Sequence, residues 1–513
     1  MKRVTVQLNQ IIGAVLLTVS FWACNDFLDE QPSKSTRLPI THTEQLDALL
    51  ANYTDFCEEP NRAAFCGHDA WEFPVELYQG QPMFFPGPDA ILQTDLGDYE
   101  NLAKKNDPFW GGDGYKSGEY SKIFRANVVL QSLDNIEGTG EDKARLKAEA
   151  HFIRAYSHWN LVNTYALPYT AANASEPGVP LKKSTSFEEA AARATIEETY
   201  RFIESDLQEA LKCSTALVQN GQNKHWRANT AAINGFAARY YLNRNRYEQA
   251  LKYAENVLKE YDVLVDYNSE MNKDVFEQGV YLPSTFDWDV QTYTKRIAWK
   301  ESLYMRYLTS GNAVMTYFPS QSLLDAYEDK EHDLRYRYHF VEDAAEVMFW
   351  SSYSYPAYVF FSMSHVLSGP TTAEMYLIKA ECQARLGEYS RAMETVNALR
   401  AKRMVPGDWV ELKAGNVKEA VTKILQERRR EMPFSQRWFD MRRLNNNEET
   451  YDDVEIVTRK FYKINATTIF DKEEPITYTL EKNSRKYALP ISENEIEISY
   501  AVFCLKKKKR INT

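Results

Sequence analysis

Apolar residues recur at helical spacing through most of this chain. Between Glu141 and Tyr165, the residues Leu146, Ala150, Ile153, Tyr156, His158, Leu161 and Val162 fall near i, i+3, i+4 and i+7. Lys143, Arg145 and Lys147 take the other side, so the pattern predicts one long amphipathic helix that ends near Pro168. Thr195-Ile196-Glu197-Glu198 reads as a capping box, in which each side chain bonds the other residue's backbone N–H; it opens a helix that runs to about Lys212. The stretch between these helices, Ala166 to Glu188, is rich in Pro and Ser and reads as a connection. Ala231 to Tyr261 predicts a helix pair: Ala237, Tyr240, Tyr241 and Leu242, a turn at Asn243 to Arg246, then Tyr247, Ala250, Leu251, Ala254, Val257 and Leu258. The layout recurs downstream, where Tyr376, Ile378, Ala380 and Cys382 lead through a turn at Gly387 to Tyr389, Ala392, Val396, Asn397 and Leu399. Small residues such as Ala250 and Ala392 at equivalent places let helices approach closely, the packing logic of tetratricopeptide units. Two unrelated amphipathic hairpins are the alternative. The intervening Asp262 to Pro370 is aromatic, loop-rich and weakly periodic.

The chain opens on a different pattern. Lys2 and Arg3 precede an apolar run, Ile11 to Ala23, that is too short to span a bilayer, and Cys24 follows with Asn25-Asp26-Phe27-Leu28-Asp29-Glu30. This is how a secreted bacterial lipoprotein begins, with residues 1–23 as signal peptide and Cys24 as the lipidated N-terminus. Acyl chains on Cys24, palmitate among them, contribute about 0.8 kcal/mol per buried CH2 and make a stable anchor. An ordinary secretory signal with a coincidental cysteine is the alternative.

Formal net charge is −11, and losing Lys2 and Arg3 with the leader makes it about −13, which argues against nucleic acid and other polyanions as partners. No later segment has the unbroken apolar length of a spanning helix. Of six cysteines, Cys57 and Cys66 are close enough to bridge a loop, whereas Cys213 and Cys382 sit in helical patterns where a buried, inert thiol is expected. No C-x-x-C pair, H-E-x-x-H, G-x-S-x-G, P-loop or G-x-G-x-x-G occurs, and Asn106, Asp107 and Asp113 lack EF-hand spacing. No cofactor, metal site or catalytic residue is therefore assigned. Asp287 and Asp289, beside Trp288, form the one carboxylate pair worth testing for hydrolysis. The basic run Arg428 to Arg430, with Arg437, Arg442 and Arg443, is interleaved with Glu427, Glu431 and Asp440, so pairing at i+3 or i+4 is expected instead of phosphate binding.

Several stretches together resemble the SusD/RagB family of outer-membrane lipoproteins. They are Cys24-Asn25-Asp26-Phe27-Leu28-Asp29, the run Ala148-Glu149-Ala150-His151-Phe152-Ile153-Arg154-Ala155-Tyr156, and Arg193-Ala194-Thr195 with Tyr200 and Asp206-Leu207. Further matches are Ala237-Ala238-Arg239-Tyr240-Tyr241-Leu242, Ala373-Glu374-Met375-Tyr376-Leu377-Ile378-Lys379-Ala380-Glu381, Glu427-Arg428-Arg429-Arg430-Glu431 and Arg437-Trp438-Phe439-Asp440-Met441-Arg442-Arg443. The resemblance implies a mostly α fold in which tetratricopeptide-like helix pairs form a scaffold with a loop-rich ligand-binding face. It divides the chain into a signal peptide at 1–23, a SusD-like N-terminal region at 24–226, a tetratricopeptide-like helix pair at 227–270 and a RagB/SusD C-terminal region at 271–513. It also implies a surface-exposed, lipid-anchored protein of the outer membrane that binds oligosaccharide, polysaccharide or, as the alternative cargo, peptide and serves a SusC-like TonB-dependent transporter, without being an enzyme. Asp26, Asp29 and Glu30 are similar to the signal that exports such lipoproteins to the surface. Pro433, Ser435 and Gln436 before Arg437, and the basic tail Lys506 to Arg510, depart from the family pattern.

A glycan ligand asks for flat aromatic faces and sparse, placed polar groups. Aromatics crowd into three stretches without helical period: Trp71, Phe73, Tyr78, Phe84, Phe85, Trp110 and Tyr115; then Trp288, Tyr293, Trp299 and Tyr304 with Arg296; then Trp350, Tyr353, Tyr355 and Tyr358. Trp71, Trp110, Tyr115, Trp288, Tyr293 and Arg296 are the expected ligand contacts. Two other readings stay open, a surface glycoside hydrolase or lyase and a tetratricopeptide scaffold that binds protein alone.

Overall fold

The structure is a computed structural model that describes residues 39–80, 117–186, 189, 192–273, 281–283, 299–309, 317–349, 351–360, 365–461 and 474–491. Its N-terminal part is built on α1 (Thr43–Ala51), α2 (Glu119–Ser132), α3 (Gly140–Tyr165) and α4 (Ile196–Ala210). The Thr139 hydroxyl caps α3 by accepting from the Asp142 N–H at 3.0 Å, and α2 and α4 pack on either side of it. The amphipathic pattern expected for α3 holds only at its start. From Leu146 onward almost every residue is buried, because the polar positions are satisfied internally. Arg227 donates to Glu149 at 2.7 Å, Arg154 donates to both oxygens of Asp206 at 2.7 Å, and Asn160 donates to Glu59 at 3.0 Å.

The capping box on α4 is present: the Glu198 N–H donates to the Thr195 hydroxyl at 3.1 Å and the Thr195 N–H donates to the Glu198 carboxylate at 2.9 Å. Thr195→Ala removes one acceptor for the exposed first turn and is expected to lower unfolding free energy by about 1 kcal/mol, measured by urea denaturation.

The two repeats form α5 (Thr230–Asn243) with α6 (Tyr247–Glu260) and α7 (Thr372–Arg385) with α8 (Tyr389–Arg400), and α6 packs directly against α7. Sequence-distant pairs thus join into one layer, extended by α9 (Val417–Glu431) and followed by α10 (Arg437–Leu444). Ala250 and Ala392 are fully buried, as small residues at a close helix approach should be. The two turns are alike in backbone as well. Asn245 and Gly387 each lie two residues past the helix end with φ of 54° and 93°, the left-handed conformation that ends a helix.

The segment between the repeats supplies short strands that pair with one from the N-terminal part. β1 (Glu58–Glu59) runs parallel to β2 (Tyr307–Thr309), which pairs antiparallel with β3 (His365–Leu367), Tyr307 lying opposite Leu367. Near the C-terminus β4 (Ile456–Phe461) and β5 (Ile476–Glu481) form a hairpin with Val457 and Leu480 turned to the core. Cys57 and Cys66 are not joined: Cys57 packs with Met305 and Tyr307, and Cys66 lies in the main core. Cys213 is partly buried and Cys382 fully buried, and burial raises both thiols.

A ladder of buried ion pairs ties the C-terminal helices together. Arg239 of α5 donates to Glu374 of α7 at 3.0 and 2.5 Å, and Arg428 of α9 bridges Glu374 at 3.3 Å to Asp440 of α10 at 2.7 Å. Arg443 spans Asp440 at 2.9 Å and Glu381 at 2.6 and 2.8 Å, and Arg385 links Glu381 at 2.9 Å to Asp452 at 2.6 Å. Burial pushes the Glu381 carboxyl up, yet Arg443, Arg385 and Arg428 outweigh it and bring it down to about 2. The basic run is structural, as its interleaved carboxylates suggested, but most of its partners are not one helical turn away. Arg430–Glu427 and Arg443–Asp440 are local pairs, whereas Arg428 reaches Asp440, Arg437 reaches Asp69 at 2.6 and 2.8 Å, and Arg442 donates to the backbone carbonyls of Ala166 and Tyr487. Burial, not helix spacing, selects the partners, because each enclosed guanidinium needs acceptors wherever the fold brings them.

Candidate functional site

The aromatic stretches separate into core and surface. Trp71 is 1% exposed, forms an antiparallel bridge with Pro319 and sits 6.1 Å from the Phe65 ring. Its ring belongs to the main core, which corrects the expectation that it meets ligand: residues 71–74 form a largely buried extended segment that leads into a short helix at Val75–Gly80. Phe73 is likewise enclosed, edge-on to Phe318 at 5.4 Å. Trp299 packs edge-on to Phe360 at 5.3 Å and Tyr304 edge-on to Phe152 at 4.8 Å, both buried. Trp110, Tyr115, Trp288, Tyr293 and Arg296, together with Phe84, Phe85, Trp350, Asp287 and Asp289, lie outside the described residues. So do residues 1–38 with Cys24; among the described residues no helix is long and apolar enough to cross a membrane.

The third stretch supplies an aromatic ledge. The rings of Tyr353 and Tyr355 are stacked at 6.0 Å with 17° between their planes, and both are half-buried. Their placement follows from the backbone: the Tyr353 N–H donates to the Ser351 hydroxyl at 3.0 Å, and the Tyr355 hydroxyl donates to the Pro319 carbonyl at 2.7 Å. Pro319 also bridges Trp71 through the backbone, so the ledge is tied to the same segment that buries the tryptophan. Burial raises both phenols, with the charge of Glu76 adding to the effect at Tyr353 and those of Glu72 and Glu76 at Tyr355, so the rings stay neutral. Stacked neutral rings offer an apolar face to a ligand.

A cavity of about 40 Å³ lies among Tyr267, Trp299, Glu301, Phe360, Thr371 and Glu431. Arg403 donates to Glu301 at 2.8 and 3.0 Å and to Glu431 at 2.8 Å, so one guanidinium holds both carboxylates. Burial raises the Glu301 carboxyl against the pull of Arg403. The space suits about two or three waters and is too small for a sugar ring. Sequence reasoning missed this assembly, since Glu301 and Glu431 stand 102 and 28 residues from Arg403 and no spacing rule connects them.

Residues 26–242 match a family described as "Starch-binding associating with outer membrane", and residues 372–502 match the SusD family, the two together covering more than half of the chain. The chain is 22% identical over 165 residues to SusD-like protein P25 of Formosa agariphila, a match that takes in 31% of this chain and 30% of that relative's length. A SusD superfamily protein of Bacteroides thetaiotaomicron aligns over 90% of this chain and 98% of its own with a TM-score of 0.62 and 17% identity. A SusD-like carbohydrate binding protein of Bacteroides vulgatus aligns over 90% and 97% with a TM-score of 0.58 and 18% identity. These two likenesses establish a shared fold.

Proposed function

The chain belongs to the SusD/RagB family, and from that premise we propose that it is a cell-surface lipoprotein of the outer membrane that binds oligosaccharide and passes it, uncleaved, to a partner TonB-dependent transporter. The match of residues 26–242 to a starch-binding, outer-membrane-associating family carries the reading. The opening Lys2, Arg3, Ile11 to Ala23 and Cys24 supports a lipid anchor, and the neighbouring acidic residues support surface export. The stacked Tyr353–Tyr355 ledge supports a sugar ligand, with ring faces against C–H surfaces. Trp110, Tyr115, Trp288, Tyr293 and Arg296 extend the binding face in this proposal. The helix layer serves as a rigid mount, where the ion ladder fixes helix positions.

The test uses residues 25–513, free of the anchor, in calorimetry against a panel of polysaccharides and their oligosaccharides, with product release followed in the same samples. Saturable binding without cleavage is expected. Tyr353→Ala, Trp110→Ala and Trp288→Ala should each weaken binding about tenfold, since a stacked ring contributes about 0.5–1.5 kcal/mol beyond its area. Turnover of the ligand would replace the binding role with a glycoside hydrolase or lyase, and silence across the panel would favour peptide cargo or a protein scaffold.

A further inference from the structure

The shape of the Tyr353–Tyr355 ledge narrows the class of saccharide that fits it. The two ring centres lie 6.0 Å apart and the ring planes differ by 17°. Carbon atoms in contact sit about 3.5–4.0 Å apart, so rings that touch face to face at this centre distance are slid past one another by about 5 Å. Rings that share a plane stand 6.0 Å apart, side by side. In either arrangement neither ring covers the other fully, and the pair makes a platform two rings long with nearly parallel faces. Both residues are half-buried, so each ring keeps part of its surface open.

The platform is also fixed in orientation. The Tyr353 N–H donates to the Ser351 hydroxyl at 3.0 Å, the Ser351 N–H donates to the Ala345 carbonyl at 3.1 Å, and the Ala345 N–H donates to the Tyr355 carbonyl at 3.0 Å. These bonds tie the segment to the short helix Ala344–Phe349. The Tyr355 hydroxyl donates to the Pro319 carbonyl at 2.7 Å, which holds this ring at its far end as well, and the Phe318 ring stands 6.3 Å away at 61°. Pro356 follows and keeps Tyr355 out of the helical backbone region. A ring held at both its backbone and its hydroxyl cannot turn to follow a curved ligand without breaking a hydrogen bond.

A sugar ring meets an aromatic face through its apolar C–H surface. In a chain joined through equatorial bonds at C1 and C4, the β-1,4 linkage of glucose, mannose or xylose units, successive rings flip over but keep their mean planes nearly parallel. Neighbouring rings then lay C–H surfaces along one flat strip, with a repeat close to the offset between the two tyrosines. An axial bond at C1, the α-1,4 linkage, tilts each ring against the last and coils the chain, so two neighbouring sugars cannot both lie flat on two parallel, fixed rings.

We infer that the ledge takes two consecutive rings of an extended, β-1,4-linked glycan and selects against coiled, α-1,4-linked chains. The saccharide rests on the function proposed above; the linkage rests on the ledge alone.

The experiment titrates residues 25–513 by calorimetry with cellotetraose, mannotetraose and xylotetraose, and with maltotetraose as the α-1,4-linked contrast. Tyr353→Ala and Tyr353→Leu are titrated alongside, each after its thermal melt has been compared with the parent; the leucine keeps apolar bulk without a flat face. At least one β-1,4-linked probe should bind saturably and about tenfold or more tighter than maltotetraose, and both variants should bring the two classes to within about threefold. Maltotetraose binding as tight as the best β-1,4-linked probe, absence of binding by all three β-1,4-linked probes, or a preference that either folded variant keeps overturns the inference. Saturable binding of another saccharide in that case leaves the proposed function standing, whereas silence of every saccharide removes both.

Discussion

Replacing Glu374 by Met should destabilise the protein by about 3–5 kcal/mol, because removing one member of a buried ion pair leaves an uncompensated charge in a low-dielectric interior. Arg239 and Glu374 are both 0% exposed, so neither can turn to water when its partner is lost. Arg428 would lose one of its two carboxylates at the same time, although Asp440 still holds it at 2.7 Å. Against a typical total stability of about 5–15 kcal/mol, that loss is a large fraction. The double variant Arg239→Met, Glu374→Met should be more stable than either single variant, since two apolar side chains of similar volume leave no charge behind. Urea denaturation of the wild type, both singles and the double gives the coupling energy directly. A single variant that loses less than 1 kcal/mol, or a double that loses the sum of the singles, would show that Glu374 carries no buried charge pair.

Mild acid should unfold the protein well before its carboxylates titrate. His68, His158, His225 and His339 are all buried. Burial is the largest cause in each case, holding His68 at about 3, His158 at about 4, His225 at about 4 and His339 well below its ordinary value. Neighbouring cations add to it at three of them: Arg459 and Arg437 at His68, Arg154 at His158, Arg403 and Arg335 at His339. Among the described residues, His225 has no hydrogen-bond partner at either ring nitrogen. The unfolded chain binds protons on these residues near pH 6.5, the folded chain does not, so stability is intact above pH 6.5 and falls as pH drops toward 4. Each histidine contributes a slope of about 1.4 kcal/mol per pH unit, and four together about 5 kcal/mol per unit. The depressed carboxylates, such as Glu381 at about 2, keep their contribution through this window and lose it only below their unfolded values, while the raised Glu301 works weakly the other way. Unfolding midpoints measured from pH 7.5 to 4.5 should fall steeply below pH 6.5. His225→Phe should flatten the curve by about a quarter. A midpoint that stays level to pH 5 would mean that the histidines are reached by water.

Local signals in the sequence translated well. The start and end of α3, the Thr195–Glu198 box and the two helix pairs could be read from spacing because capping and helical burial involve residues within one or two turns. The turn after each pair's first helix was legible for the same reason, through Asn245 and Gly387. Partner choice was not legible. Asp69 meets Arg437 across 368 residues and Arg306 meets Glu59 across 247, distances at which sequence spacing carries no information. Trp71 misled for a related reason: an aperiodic aromatic residue between turn residues looks the same whether it hangs over a ligand or packs into the core. Polar residues in α3 suggested a wet face, yet Glu149, Arg154 and Asn160 are enclosed with their partners.

The contact between α6 and α7 constrains the order in which the chain can assemble. α6, whose Ala250, Ala254 and Val257 are buried, packs both on α5 beside it in sequence and on a helix that begins only at Thr372. Closing that contact joins residues more than 100 positions apart, so the loop between Glu260 and Thr372 has to be brought round before the helix layer is continuous, a non-local step that slows folding.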